Sequence, residues 1–222
     1  SFCYPNSDSV VLDHLNLTIS RGQRLAVVGM NGAGKTTMIK LLCRFYQPTS
    51  GTITLNGVDI QEYDFQDYAK LFSVVFQDFH LFSVTLEQNV AAGLWADKAR
   101  LEQSMKTAGL DALLDELKGE YSVAIGKQFD EEGRDFSGGE EQKIAIARAL
   151  YKDAPVVVLD EPTAALDPIT EFEVYSKFNE LVGDKASIFI SHRLSSCRFC
   201  HQIAVFDGGR LVQFGSHEQL LK

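Results

Sequence analysis

The residues with the clearest chemical potential occupy positions 29–36, which read Gly-Met-Asn-Gly-Ala-Gly-Lys-Thr. This stretch fits the pattern G-x-x-x-x-G-K-[ST] of phosphate-binding loops without a mismatch. Its glycines allow backbone N–H groups to point at phosphate oxygens, Lys35 supplies a positive charge, and Thr36 offers a hydroxyl to Mg²⁺. An apolar run at 25–28 precedes the loop and an amphipathic stretch follows it, as the motif requires. The pattern therefore predicts a nucleoside triphosphate site.

A second candidate for chemistry is the acidic pair Asp160 and Glu161, which follows four apolar residues at 156–159. A carboxylate at the carboxyl end of a parallel strand, beside a phosphate loop, can hold Mg²⁺ through water. The next carboxylate can orient or deprotonate a water that attacks the γ-phosphate. The alternative is an ordinary solvated acidic turn, which the apolar run and the phosphate loop together disfavour.

The third candidate is the sequence Ser-Gly-Gly-Glu at 137–140. Ser137 and Glu140 have the spacing of a capping box, which begins a helix. Two glycines in a first helical turn cost about 1 kcal/mol each relative to alanine, which suggests that another group approaches this backbone closely. The bare N–H groups of a helix start suit an anion, although an ordinary helix start explains the same residues equally well.

Apolar periodicity indicates the elements that hold these residues. Residues 156–160 suit a parallel strand covered on both faces. Asp167 and Pro168 have the residue types of a helix start, and Ser216 with Gln219 has those of a second capping box. The pattern predicts further strands at 10–12, 15–19, 52–55, 72–76, 187–190, 203–206 and 210–214, and helices at 86–93, 99–110, 111–117 and 142–150.

The domain organisation follows from where helical periodicity dominates, between residues 64 and 153. Apolar runs typical of strands lie on either side of that region. This distribution predicts an α/β fold in which a mostly helical lobe, residues 78–153, is inserted into a core made of residues 1–77 and 154–222.

Composition excludes several classes of protein. The chain has 222 residues and a net charge of −9, so a nucleic-acid partner is disfavoured. Its four cysteines are too few and too scattered for a disulfide framework. Cys197, Cys200 and His201 spell the C-x-x-C-H pattern of covalent haem attachment and could supply half of a zinc site. No second ligand pair accompanies them, so these residues are expected to pack a helix.

Taken in order along the chain, these motifs resemble those of the nucleotide-binding domain of ATP-binding-cassette (ABC) transporters, over essentially the whole chain. The resemblance implies a P-loop NTPase core with a mostly parallel sheet, an N-terminal antiparallel β subdomain and an inserted helical subdomain. It also implies ATP and Mg²⁺ as cofactors. The residues implied to bind ATP through the phosphate loop and its surroundings are Tyr4, which would stack on adenine, Asn31, Gly32, Ala33, Gly34, Lys35, Thr36 and Thr37.

The same resemblance assigns the catalytic positions. Glu161 matches the catalytic glutamate, and His192, in Ser-His-Arg, matches the switch histidine that contacts the γ-phosphate. Gln77, in Val-Val-Phe-Gln-Asp, matches the glutamine that touches Mg²⁺ and senses the transmembrane partner. The implied metal ligands are Thr36, Gln77 and Asp160.

A partner domain is implied by two further matches. Residues 136–140 resemble the signature motif, and residues 165–167 resemble the D-loop. In the family the signature serine and glycines bind the γ-phosphate held by a second ABC ATPase domain, so two domains, identical or different, would enclose two ATP molecules head to tail. The residues implied to complete a partner's ATP site are Ser137, Gly138 and Gly139, and Asp167 of the D-loop is also implied to bind ATP.

Two departures from the family pattern matter. The signature usually begins with Leu and ends with Gln, where this chain has Phe136 and Glu140. Both Glu and Gln can close a capping box, but like charge disfavours a carboxylate near a partner's phosphates. Glu140→Gln is therefore predicted to strengthen ATP-dependent pairing. The longer stretch at 126–133 resembles that of peptide and bacteriocin exporters, which hints at a peptide cargo.

The segments at 81–90 and 214–221 resemble exporter cassettes, in which membrane and ATPase domains share one polypeptide. A transmembrane domain is therefore expected in the same natural polypeptide. This arrangement would place the ATPase domain at the cytoplasmic face of a membrane.

Three other functions deserve comparison with export. An importer ATPase subunit is the nearest of them. A chromosome-maintenance or DNA-repair ATPase is disfavoured, because only about sixty residues separate Gln77 from Ser137, where long coiled-coil arms would lie. A regulatory cassette that binds ATP without turnover is disfavoured by the presence of both Glu161 and His192.

Overall fold

The computed structural model describes residues 1–128, 131–161, 183, 185–191 and 200–221. The chain forms two compact units. The first contains residues 1–72, 155–161 and 184–222, and the second contains residues 73–154 and 162–183. The sequence predicts a helical lobe of residues 78–153 within a core of residues 1–77 and 154–222, and this division into subdomains stays a prediction.

The first unit holds most of the strands. Its elements are β1 (Phe2–Cys3), β2 (Val10–Leu12), β3 (Arg24–Gly29), α1 (Lys35–Leu42), β4 (Thr54–Leu55), β5 (Val58–Asp59), a single 3₁₀ turn (Ile60–Glu62), α2 (Phe65–Ala69), β7 (Val156–Asp160), β8 (Ala186–Ile190), β9 (Gln202–Asp207), β10 (Arg210–Gly215) and α7 (His217–Leu220).

The central sheet of this unit has the strand order β10–β9–β3–β8–β7. β3 runs parallel to both β8 and β9, and β7 runs parallel to β8, whereas β10 is antiparallel to β9. All five residues of β8 are buried, as is typical of a strand in a parallel sheet that is covered on both faces. A mostly parallel sheet is thus confirmed, and the carboxyl ends of β3, β8 and β7 share one edge.

Two antiparallel pairs of short strands accompany the sheet. β1 pairs with β2, and β4 pairs with β5. Asn56 and Gly57 join β4 to β5 with φ values of 52° and 83°, which is the left-handed pair that an Asn-Gly hairpin turn needs. The predicted antiparallel β subdomain is therefore present, although the strand predicted at 52–55 is shorter.

The strand predicted at residues 15–19 is wrong. These residues alternate between half-buried and exposed, as a strand would, but they form no regular secondary structure. His14 has a φ of 48°, so the chain turns just after β2 instead of continuing an extended path. Alternating apolar residues indicate that alternate side chains are buried. They do not ensure that a neighbouring strand is present to form the backbone hydrogen bonds of a sheet.

The second unit is mostly helical in the part of the chain that the structure describes. Its elements are β6 (Phe72–Val75, which begins at the last residue of the first unit), α3 (Leu86–Ala91), α4 (Lys98–Thr107), α5 (Asp111–Leu117) and α6 (Gly138–Lys152). α6 packs against α3 and α4, and Ile144 and Ala147 on its inner face are fully buried. The inserted helical subdomain is confirmed, with α5 at its predicted bounds.

Two other predictions concern the end of the chain. Ser216 and Gln219 form the predicted capping box at the start of α7. Cys200 packs as an apolar residue against the buried side chains of Ala26, Val28 and Ile203, but these belong to strands and Cys200 lies in no helix, so the expectation that it packs a helix is wrong. Cys197 and the helix predicted to begin at Asp167 lie outside the described residues.

Within the described ranges, no helix combines the length and hydrophobicity that a bilayer crossing requires.

Candidate nucleotide-binding site

The phosphate loop joins β3 to α1, as the sequence predicts. Gly34 precedes α1 with a φ of 95° and caps the helix without a side chain. A Cβ atom at Gly34 would lie 2.5 Å from Cδ2 of Leu12, and one at Gly29 would lie 2.3 Å from the carbonyl oxygen of Phe206. Only glycine fits at these two positions, so the tight loop is required by its own packing as well as by any ligand.

Lys35 lies folded over the loop and is 6% exposed. Its Nζ donates to the carbonyl oxygens of Gly29, at 2.8 Å, and Met30, at 3.1 Å. An ammonium group carries three N–H donors, so these two bonds leave one donor for an anion. The residues of the loop thus fit a phosphate: the backbone is tightly turned, a cation is pre-positioned, and the N-terminus of α1 adds a positive dipole end.

The structure brings Tyr4 and Thr37 together in the first unit. The Tyr4 hydroxyl lies 2.9 Å from Oγ1 of Thr37, in the first turn of α1. The Tyr4 ring also packs edge-on against Phe2, with ring centroids 5.0 Å apart, and against Tyr46, at 5.2 Å. An aromatic ring is therefore held beside the start of α1, and its stacking on adenine stays a prediction.

Asp160 and Glu161 lie at the carboxyl edge of the sheet. Asp160 pairs in register with Ile190 of β8, which itself pairs with Val27 of β3. Asp160 is 1% exposed, and a carboxylate so deeply buried needs nearby cations or N–H donors to remain charged. The buried carboxylate is thus on the same edge as the loop that follows β3.

Glu161 turns away from the strand that precedes it. Its φ is 48°, and its backbone N–H donates to the carbonyl oxygen of Ile190 at 3.0 Å. Successive side chains of a strand point to opposite faces, and a left-handed residue breaks that alternation. Such a conformation costs a non-glycine residue about 1–3 kcal/mol and is concentrated at functional sites. This backbone strain has no signature in the sequence.

A Mg²⁺ ion fits the donors that the first unit offers. Thr36 supplies a hydroxyl at the first turn of α1, and Asp160 supplies a carboxylate. Mg²⁺ prefers oxygen ligands and commonly takes one or two carboxylates together with substrate phosphates. Gln77, the third predicted ligand, belongs to the second unit, where it is exposed in the turn directly after β6.

The helix start at Ser137 lies in the second unit and forms the predicted capping box. The backbone N–H of Ser137 donates to Oε2 of Glu140 at 2.9 Å, and the N–H of Glu140 donates back to Oγ of Ser137 at 3.3 Å. Gly138 is exposed and Gly139 is half-buried, and a Cβ at Gly138 would have no neighbouring atom within 4 Å. The packing of this unit therefore does not require glycine at Gly138.

Sequence reasoning missed a network that supports the segment after Gln77. Asn89, 1% exposed in α3, accepts from the N–H of Phe82 at 2.9 Å and donates to its carbonyl oxygen at 2.9 Å. Arg148 of α6 donates to the carbonyl oxygen of Asn89 at 2.8 Å and to Oδ1 of Asn89 at 2.9 Å. A polar residue on an otherwise apolar helix face was the available signal.

Two predicted site residues, Asp167 and His192, lie outside the described residues. The others fall into two groups. The first unit brings together Tyr4, the loop from Asn31 to Thr37, Asp160 and Glu161, and the second unit carries Gln77, Ser137, Gly138 and Gly139.

Comparison with known proteins agrees with this geometry. The family model described as "ABC transporter" matches residues 12–164. Over its whole length the chain is 41% identical to the subtilin transport ATP-binding protein SpaT of Bacillus subtilis, and it covers 36% of that protein. It is likewise 36% identical to the ATP-dependent lipid A-core flippase of Burkholderia orbicola, of which it covers 37%.

A solved structure of a bacterial Atm1-family ABC exporter with ATP bound has a TM-score of 0.89 and 37% identity, covering 99% of this chain and 38% of that one. The chain thus spans a little over a third of the length of these relatives. The chain belongs to the ABC transporter family and is an ATP-hydrolysing domain of that family.

Proposed function

We propose that this chain works as one half of a head-to-tail pair of ATPase domains and powers export by a longer transporter. The observation that carries the proposal is the arrangement of the carboxyl edge of the sheet, where the phosphate loop follows β3 and Asp160 and Glu161 end β7. The relatives named for transport and flipping, and the exporter structure with ATP bound, support this function.

Each residue has a distinct part in the proposed reaction. Lys35 binds the outer phosphate oxygens through the donor that its contacts with the loop leave over. Thr36 and Asp160 would hold Mg²⁺, which when bound neutralises phosphate charge and keeps the phosphates in line for attack. Glu161 orients the attacking water and accepts its proton. The role of Gln77 as a metal ligand stays a prediction of the family resemblance.

The second half of the site comes from the partner domain. Ser137, Gly138 and Gly139 form a helix start at which Ser137 and Gly138 are exposed, and the N–H groups of such a helix start suit a phosphate. Gly138 lies in open space, which supports the idea that another molecule, and not this unit, needs a glycine there. We infer that His192 contacts the γ-phosphate and that Asp167 also binds ATP, as the family resemblance implies.

The transmembrane domain is proposed to be part of the same polypeptide, which would hold this domain at the cytoplasmic face of a membrane. Relatives of similar identity are named for subtilin and for lipid A-core. That breadth supports a cargo chosen outside this domain, and the peptide cargo suggested by residues 126–133 stays a prediction.

Release of phosphate from ATP and Mg²⁺ tests the assignment of Glu161. Because a general base contributes about 10²–10⁴-fold to a rate, Glu161→Gln should lose at least about a hundredfold in turnover. Glu62→Gln, the same substitution at an exposed position of the first unit, is the matched control and should keep the wild-type rate. Turnover of Glu161→Gln at the wild-type rate would disprove the role of Glu161, and a wild type without turnover would favour a regulatory cassette.

A further inference from the structure

The hydroxyl of Ser137 is already engaged within its own domain. Its Oγ lies 2.8 Å from Oε2 of Glu140 and accepts the N–H of the same residue at 3.3 Å. A hydroxyl has a single proton, and Ser137 donates it to the carboxylate. A phosphate oxygen accepts hydrogen bonds, so it would need that same proton. Contact between Ser137 and the partner's ATP therefore requires the hydrogen bond from Ser137 to Glu140 to break.

Arg134 is the cation next to this hydrogen bond. Its Nη2 lies 3.5 Å from Oε1 of Glu140, and its Nη1 lies 2.6 Å from Oε1 of Glu116. Its guanidinium also covers the ring of Phe136, at 5.1 Å from the centroid. These three contacts hold the side chain, which is 27% exposed, directly beside the carboxylate oxygen that Ser137 does not use.

The charge state of Glu140 agrees with this arrangement. The pKa of Glu140 lies below its usual range, chiefly because it accepts the backbone N–H of Ser137, with further contributions from the Ser137 hydroxyl and the charges of Arg134 and Lys143. Lys143 also donates to the carbonyl oxygen of Gly109 at 3.0 Å. Glu140 is therefore ionised at neutral pH and carries its negative charge at the helix start.

We propose that Arg134 is a positioning residue that retains the Glu140 carboxylate while Ser137 turns its hydroxyl to the phosphate of a partner's ATP. The proposal rests on the head-to-tail pairing put forward above. Without Arg134, the carboxylate keeps the proton of Ser137 and its charge repels the incoming phosphates. Both effects weaken ATP-dependent pairing, and both require the negative charge of Glu140.

A double-mutant cycle tests this dependence. In a hydrolysis-blocked Glu161→Gln parent, the measured quantity is the ATP concentration that gives half-maximal dimer in sedimentation with Mg²⁺. Arg134→Gln should raise this concentration roughly fivefold, the upper range for a partly exposed ion pair, and Glu140→Gln should lower it. When Glu140→Gln is already present, Arg134→Gln should change it by less than roughly twofold.

Three further variants separate positioning from folding. Arg134→Lys keeps the charge and should recover most of the pairing. Glu116→Gln removes the competing carboxylate and should lower the half-maximal ATP concentration, although it breaks an ion pair. Lys70→Gln removes one positive charge from the exposed pair with Asp67, in which both side chains are 73% exposed, and should have no effect.

The outcomes distinguish this proposal from the one on which it rests. An equal effect of Arg134→Gln in both Glu140 backgrounds would overturn the positioning role, because Arg134 would then act on the fold or on phosphate directly. A parent that pairs normally while Arg134→Gln has no effect would overturn it as well. A parent that never pairs would overturn the head-to-tail function and, with it, the role of Arg134.

Discussion

At the scale of single residues, the nucleotide site depends on two neighbouring positions of the phosphate loop, Gly34 and Lys35, which are held in place by surrounding atoms. Gly34 combines a left-handed backbone with the close approach of Leu12. Lys35 is buried with its ammonium group on two loop carbonyls. These restraints shape the loop before any ligand binds, so the free energy of nucleotide binding is not spent on ordering it.

We expect Gly34→Ala to destabilise the protein more than Gly57→Ala does. Both glycines have a positive φ, 95° and 83°, but a Cβ at Gly57 would have no neighbour within 4 Å. Gly57→Ala should therefore cost only the left-handed backbone term, about 1–2 kcal/mol. Gly34→Ala adds the clash with Leu12, for a total of about 3 kcal/mol or more. Urea denaturation measures both, and equal losses would contradict the packing argument.

Tyr68 provides a residue-scale prediction about pH. Burial raises the pKa of Tyr68 to about 12 from 10.0, and its hydroxyl donates to the carbonyl oxygen of Leu42 at 2.8 Å. Because the folded state holds this proton more tightly, its contribution to stability is complete below pH 10 and is lost as the pH rises to 12. The stability advantage of wild type over Tyr68→Phe should shrink across that range in denaturant titrations. A constant difference would show that Tyr68 does not titrate differently in the two states.

At the scale of elements, the second unit uses a helix residue to fix a loop. Asn89 of α3 binds both backbone groups of Phe82, and Arg148 of α6 binds Asn89. Phe82 itself is 64% exposed, so its backbone is held while its ring remains at the surface. A buried amide that satisfies two backbone groups stabilises a loop that lacks regular hydrogen bonds.

Asn89→Ala should cost about 2–3 kcal/mol, because it removes the Oδ1 acceptor of the Phe82 N–H and of Nη2 of Arg148. Exchange of the Phe82 amide hydrogen should accelerate. Gln103→Ala removes an exposed amide from the middle of α4 and should stay within about 0.5 kcal/mol of wild type. Protection of the Phe82 amide that does not change in Asn89→Ala would mean that other contacts hold the loop.

At the scale of the whole molecule, the proposed unit of function is a pair of domains. With hydrolysis blocked by Glu161→Gln, saturating ATP and Mg²⁺ should convert the chain to a dimer, and ADP should not. Light scattering coupled to size exclusion measures this directly. Ser137→Ala, which removes the hydroxyl but keeps the backbone N–H groups, should weaken the pairing. A persistent monomer would contradict the head-to-tail arrangement.

The sequence by itself determined the features that rest on neighbours along the chain. The phosphate loop, the capping boxes at Ser137 and Ser216, and the buried strand before Asp160 follow from residue type and short-range spacing. The apolar runs at 187–190 and 203–206 predicted further strands in the same way. Local patterns suffice for these features because their hydrogen bonds, or the burial of their side chains, repeat over a few residues.

Only the tertiary structure decided which distant groups meet. Tyr4 and Thr37 are joined across 33 positions, and residues 15–19 form no regular secondary structure despite their strand-like alternation. The left-handed turn of Glu161 depends on a hydrogen bond to Ile190, and Arg134 is held by an ion pair with Glu116, 18 positions away. These features arise from packing and electrostatics between segments far apart in the sequence, which no local pattern encodes.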